Sequence, residues 1–138
     1  MSYEHTPTTM LVVEDEAVVR DLLAAELRDV GYNVIAVDTG EQALALLQDR
    51  QEQIDWLFTD IRLPGIIDGW RVADEFRLTH PFRPVVFATA YAPEQSRHQL
   101  QGSFFFRKPY QPSQIVAAFR RLSADLQLHR RRSEASLV

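Results

Sequence analysis

A chain of 138 residues, 46% hydrophobic and 25% charged, has the composition of one soluble globular domain with a single core. It contains no cysteine, which excludes disulfides, thiol catalysis and zinc–thiolate sites, and its net charge of −4 argues against nucleic-acid binding by the chain as a whole. No apolar run reaches the length of a membrane span and the start, Met1-Ser2-Tyr3-Glu4-His5, lacks signal-peptide character, so a cytoplasmic protein without a membrane partner is expected.

Residues 1–8 are polar and read as a flexible N-terminus. Thr9 to Val13 is a short apolar strand. A helix starting at Glu16 or Ala17 places Val19, Leu22, Leu23, Leu27 and Val30 on one face, and Gly31 ends it. Asn33 to Val37 is the second strand, and Asp38-Thr39-Gly40 caps a helix from Glu41 to about Arg50 with Ala43, Leu44 and Leu47 inward. The third strand is Ile54 to Thr59. A loop through Asp68 leads to a helix from Gly69 or Trp70 to Leu78, stopped by His80-Pro81. Pro84 to Ala88 is the fourth strand, a short polar helix is expected between Pro93 and Gly102, and Phe104 to Arg107 is the fifth strand. Pro112 opens the last helix, with Ile115, Phe119, Leu122 and Leu126 facing the core; Arg130 to Val138 reads as a fraying tail. Strand–helix alternation implies an α/β, doubly wound (βα)5 fold of the flavodoxin-like kind, a five-stranded parallel sheet in the order 2-1-3-4-5. The domain is placed at 9–128, with 129–138 as a polar C-terminal tail.

Asp60 carries the most information. It closes an apolar strand and opens the turn Ile61-Arg62-Leu63-Pro64-Gly65. A carboxylate there is costly unless paired. Other strand ends supply candidates: Glu14, Asp15 and Glu16 after the first, Thr89 after the fourth, and Lys108-Pro109 after the fifth. In an open parallel sheet these ends form the ligand crevice. Two carboxylates ~5 Å apart repel by roughly 3 kcal/mol at an effective dielectric of 20, so three need compensation. Lys108 supplies one positive charge and a divalent ion with oxygen ligands the rest; Mg2+ suits such a donor set. Asp60 is then the nucleophile for an aspartyl-phosphate, Asp15 a direct metal ligand, Glu14 a ligand directly or through water, and Thr89 and Lys108 cover phosphoryl oxygens. Glu16 reads as a first-turn helix acid.

These residues resemble the receiver domain of two-component response regulators, of the stand-alone, chemotaxis-regulator-like kind. The likeness spans residues 9 to about 127 and rests on Glu14-Asp15, Asp60 to Pro64, Thr89-Ala90 and Lys108-Pro109 in order. It implies that Asp60 accepts phosphate from a sensor histidine kinase or phosphotransfer protein, with slow self-dephosphorylation and no other enzymatic activity. It also implies that the Arg62 carbonyl joins the metal ligands, that the Lys108-Pro109 bond is cis, and that Phe105 turns inward when phosphate arrives. The face formed by helix 4, strand 5 and helix 5 would then engage an output protein; a homodimer is admitted and DNA binding is not expected. Tyr91 and Arg62 are expected to flank the path of the attacking water and to set the lifetime of the acyl phosphate.

The chain departs from the family pattern in three places. Gly65, Ile66 and Ile67 stand between Pro64 and Asp68-Gly69 where two residues are usual, Phe105 lies within three phenylalanines, and, against a receiver subgroup with Phe-Ala-Thr-Gly, an apolar residue and then Tyr, Ala90 replaces the glycine and Tyr91 comes one place early. Two other readings compete. One is a receiver-shaped binding module that is never phosphorylated; the other is a receiver excised from a larger regulator or hybrid kinase. A phosphatase with an Asp-X-Asp nucleophile is disfavoured because Arg62 occupies the second acid's place, and a flavin-binding fold because three acids replace the phosphate loop. The four histidines read as surface residues, Trp56 and Trp70 as packing, and the late arginines (Arg120, Arg121, Arg130, Arg131, Arg132) as a solvated helix end.

Overall fold

The computed structural model describes residues 8–50, 53–91 and 102–136. Among the described residues are five strands, β1 (Thr9–Val13), β2 (Asn33–Val37), β3 (Trp56–Asp60), β4 (Val85–Thr89) and β5 (Ser103–Arg107), with helices α1 (Ala17–Asp29), α2 (Gly40–Arg50) and α3 (Gly69–Thr79) after the first three and α4 (Pro112–Ser136) after the fifth. All strand pairs are parallel, and the order is β2-β1-β3-β4-β5, as expected. The polar helix expected after Pro93 lies outside the described residues.

The two-residue strand period divides the core. Met10, Val12, Trp56 and Phe58 point to the side covered by α1 and α4, where Leu23, Leu27, Ile115 and Phe119 meet them. Leu11, Val13, Leu57 and Phe87 point the other way, against Ala43, Leu47, Val72 and Phe76 of α2 and α3. Near-continuous apolar strands are what a sheet buried on both faces requires.

Local chemistry sets the helix ends. Asp68 caps α3 by accepting the Arg71 N–H at 2.9 Å, and the Thr39 hydroxyl accepts the Gln42 N–H at 3.2 Å ahead of α2. At α4 the Gln114 side chain reaches back to the Gln111 N–H at 3.0 Å. Gly31, at φ 103°, takes the left-handed turn after α1.

Several details differ from the sequence reading. In α1 the buried stripe is Leu23, Ala24 and Leu27; Leu22 on its flank is 54% exposed and Val30, at the C-cap, 42%. β3 begins at Trp56, not Ile54, and reaches Asp60; β4 is shifted one residue, to Val85–Thr89. α4 continues to Ser136 through the stretch read as a fraying tail, because nothing between Leu126 and Ser136 breaks a helix and Leu, Gln, Arg, Glu and Ala all favour one. His80 is not a plain surface residue: its Nε2 lies 2.8 Å from the Ile54 carbonyl oxygen and its ring packs on Phe76. His5 and His98 lie outside the described residues. Trp56 and Trp70 pack as expected, Trp56 edge-on to Phe119 and Trp70 against Phe87.

The three-residue step in the loop after β3 has its own anchor. Glu41, at the start of α2, accepts the Ile66 N–H at 3.0 Å. That bond is the main cause holding the Glu41 carboxyl below its ordinary range. Gly65 turns there at φ 90°, and Gly40 carries no Cβ that would strike the Ile67 carbonyl. Gly69 then lets the chain close behind β3: its N–H donates to Ile61 O at 2.7 Å, and a Cβ would overlap the Asp60 carbonyl oxygen.

Candidate phosphoacceptor and metal site

The strand order delivers the sequence-predicted residues to one crevice. β1 ends at Glu14 and Asp15, its neighbour β3 at Asp60, β4 at Thr89 and β5 just before Lys108. Cross-strand bonds hold the loops in place: Glu14 N–H to Val37 O at 3.0 Å, Ile61 N–H to Ala88 O at 3.0 Å and Lys108 N–H to Thr89 O at 2.8 Å. The Lys108-Pro109 peptide is cis.

Glu14 and Asp60 are buried and Asp15 is exposed; one carboxylate oxygen from each lies within 4.8 Å of the others, the donor set of a hard cation. Lys108 Nζ stands between the two buried acids, 3.0 Å from Asp60 Oδ1 and 3.2 Å from Glu14 Oε2. Asp60 Oδ1 accepts no hydrogen bond, so the lysine contact is an ion pair off hydrogen-bond geometry and the oxygen keeps coordination capacity. Asp60 Oδ2 accepts weakly from the Asp15 N–H at 3.4 Å. A cavity of about 190 Å³ opens over Asp15, Asp60 and Lys108, bounded also by Glu16, Arg62, Thr89 and Ala90.

The match to known proteins decides the family. The family model for the response regulator receiver domain covers residues 10–120. The chain belongs to this family. The receiver is 32% identical over 118 residues to a probable transcriptional regulator, ycf27, of Guillardia theta, a match covering 83% of this chain and 45% of that protein. Among solved structures it is similar to a response regulator receiver protein of Sinorhizobium medicae (29% identity, TM-score 0.71, 85% and 94% of the two chains covered). It is also similar to the response regulator TrrA of Thermotoga maritima in complex with Mg2+ and BeF (28% identity, TM-score 0.69, 83% and 98% covered). The chain spans about half the length, or less, of the curated relatives it matches. Receiver domains are signalling phosphoacceptor modules that interact with histidine kinases and output partners and typically bind Mg2+ at an acidic pocket.

Electrostatics in the receiver's pocket follow from burial and from the neighbouring charges. Burial first, then the hydrogen bond and charge of Glu14, push the Asp60 carboxyl up to about 9. Burial also pushes Glu14 up, but bonds from Asp60, the Glu16 N–H and Tyr110, with the charge of Lys108, outweigh it and hold Glu14 below its ordinary value. The two buried acids are thereby pushed apart, Asp60 the weaker and Glu14 the stronger. Burial pushes the Lys108 ammonium down, but Asp60 and Glu14 more than offset it and the amine is held above its ordinary value.

The other expected residues are placed as follows. Thr89 lines the cavity, but its hydroxyl donates to Tyr91 O at 2.8 Å and accepts the Tyr91 N–H at 3.2 Å. The Arg62 guanidinium sits 5.0 Å from the centre of the exposed Tyr91 ring. Phe105 stacks on Phe87 at 5.5 Å and lies edge-on to Trp70, whereas Phe104, on the opposite face of the same strand, is 46% exposed. Glu16, read as a first-turn acid, is the N-cap of α1 and brings Oε1 to 3.7 Å from Lys108 Nζ. One residue of the pocket escaped the sequence reading: the buried Tyr110, whose hydroxyl donates to Glu14 Oε1 at 2.9 Å.

Proposed function

We propose that this receiver takes a phosphoryl group on Asp60 from a phosphohistidine of a sensor kinase or phosphotransfer protein and uses it to switch a protein-binding surface. The observation that carries the reading is the buried Asp60 carboxylate with the Lys108 ammonium at 3.0 Å and two further acids in coordinating range. A carboxylate oxygen of Asp60 attacks phosphorus; an O–P bond forms, the N–P bond breaks, and the departing imidazole takes up a proton. Asp15, Asp60 and the Arg62 carbonyl would hold Mg2+, with Glu14 at its edge. When bound, the ion supplies charge neutralisation around the phosphoryl oxygens. Lys108 is already placed to pair with one such oxygen. Thr89 reaches another by exchanging its bond to the Tyr91 carbonyl for one to phosphate, which ties the β4 loop to the modification state.

That exchange and the Phe105 ring bias a two-state surface made of the segment after β4, β5 and α4. The output is a protein contact rather than catalysis or DNA binding, and a second copy of the chain is an admissible partner. A cytoplasmic setting fits, and among the described residues no helix is long and apolar enough to cross a membrane. The curated relatives' greater length favours a second reading, in which the same receiver is one domain of a larger regulator and its output passes through a fused domain.

Intact-mass measurement with Mg2+ and acetyl phosphate tests the chemistry. One phosphoryl group is expected on the wild type and none on Asp60→Asn; equal labelling of both removes Asp60 as acceptor. Arg62 lines the cavity and its guanidinium lies over the Tyr91 ring, so Tyr91→Ala is expected to speed loss of phosphate about tenfold, ~1.4 kcal/mol off the hydrolysis barrier. An unchanged decay half-life of the labelled protein would remove Tyr91 from that role.

A further inference from the structure

Tyr110 takes no part in the reaction as written, yet its hydroxyl ends in the middle of the acid cluster. Its ring is 8% exposed and stands edge-on to Phe58 with centroids 5.5 Å apart, so the core fixes where the hydroxyl points. The hydroxyl donates to Glu14 Oε1 at 2.9 Å. The other oxygen, Oε2, takes Lys108 Nζ at 3.2 Å and the Glu16 N–H at 3.2 Å. Both oxygens of Glu14 are therefore engaged by the protein, although the carboxylate lies within coordinating range of Asp15 and Asp60.

We propose that Tyr110 is a positioning residue that sets metal preference, tethering Glu14 so that it does not become a third direct carboxylate ligand. This rests on the Mg2+ site of the proposed function. Mg2+ keeps several waters and takes one or two carboxylates in strict octahedral geometry, whereas Ca2+ gathers six to eight oxygens and accepts bidentate carboxylates. With Glu14 tethered, only Asp15 and Asp60 offer carboxylates directly, the smaller ion's preference. Without the Tyr110 bond, Oε1 of Glu14 is free to turn to the ion while Oε2 keeps its Lys108 and Glu16 partners, and the larger ion gains. Outer-shell hydrogen bonds of this kind typically change metal affinity by about 10–100-fold.

Calorimetric titration of the full chain with MgCl2 and with CaCl2 tests this. Tyr110→Phe keeps the ring and removes only the bond to Glu14 Oε1; the Ca2+-to-Mg2+ affinity ratio is expected to rise about tenfold. In a Glu14→Gln background the same change should leave the ratio where it was. A ratio unmoved by Tyr110→Phe, or both affinities falling together, overturns the proposal and leaves the metal site intact. Wild type that binds neither ion overturns the proposal together with the function it rests on. A measurement on unmutated protein guards against a variant that does not fold. The 13Cζ resonance of Tyr110 should keep its hydrogen-bonded position on saturation with MgCl2; movement to a free-phenol position shows Glu14 leaving for the ion and sinks the assignment.

Discussion

Asp60→Asn is expected to make the metal-free protein more stable, by an amount that grows with pH. The folded Asp60 carboxyl is pushed from 3.8 up to about 9 by burial and by Glu14. Between those values the folded state holds a proton that the unfolded state has released, so stability falls as pH rises through this window. Asn has the same shape, carries no charge and can donate its amide to Glu14 as the protonated acid does. At pH 4 the two proteins should unfold at nearly the same urea concentration in EDTA. By pH 8 the variant should lead by about 3 kcal/mol, since burying an ion costs several kcal/mol even after relaxation. Glu14 has the opposite sign: its folded value is lowered, so its contribution is present above 4.5 and fades as pH falls below it, in both proteins alike. Saturating Mg2+ should narrow the gap, because only the native wild type gains a full set of ligands. A stability difference that is flat between pH 4 and 8 would mean Asp60 is solvated and the pocket is not built as described.

What the sequence made legible were features with one physical reading. A charged residue at the end of an apolar strand must meet a partner, and Glu14, Asp60 and Lys108 do so in one crevice, with the exposed Asp15 carboxylate beside them. Parallel order followed from strand–helix alternation and uninterrupted apolar strands. What stayed hidden had two readings of equal local weight. Tyr110, next to Lys108-Pro109, is an aromatic residue among aromatics; only three-dimensional packing shows that its hydroxyl, not just its ring, has a partner. Three consecutive phenylalanines carry no periodic signal, and it is the pairing Phe87↔Phe105 that turns Phe105 toward Trp70 and leaves Phe104 outside. The Thr89 hydroxyl lines the cavity and also closes a turn with Tyr91, a bond that local sequence does not announce. At the arginine-rich end of the chain polarity points to a tail, but helix propensity governs it and α4 runs on to Ser136. The extra loop residue looked like a disturbance; Glu41 and two glycines accommodate it.

Lys108 has two roles that a single substitution separates. Lys108→Met keeps most of the aliphatic stem and removes the positive charge beside the buried acid pair, of which Glu14 is the stronger acid. At pH 7 in EDTA the variant is expected to lose about 3 kcal/mol, the usual cost of removing one partner from a buried ion pair. Part of that loss returns as pH falls and Glu14 becomes protonated, because the uncompensated charge is then gone. Mg2+ should behave in the opposite way. The ammonium 3.0 Å from Asp60 Oδ1 repels any cation sharing that oxygen, and unit charges ~5 Å apart at a dielectric of 20 interact by roughly 3 kcal/mol before screening. Calorimetry should therefore show Mg2+ binding about tenfold more tightly to Lys108→Met than to wild type. Intact mass should still show the variant phosphorylated by acetyl phosphate, since Asp60 is untouched, whereas NMR shifts at Phe105 on phosphorylation should shrink for want of the amine that pairs with the phosphoryl oxygen. Weaker Mg2+ binding in Lys108→Met would show that the lysine organises the acids for the ion rather than competing with it.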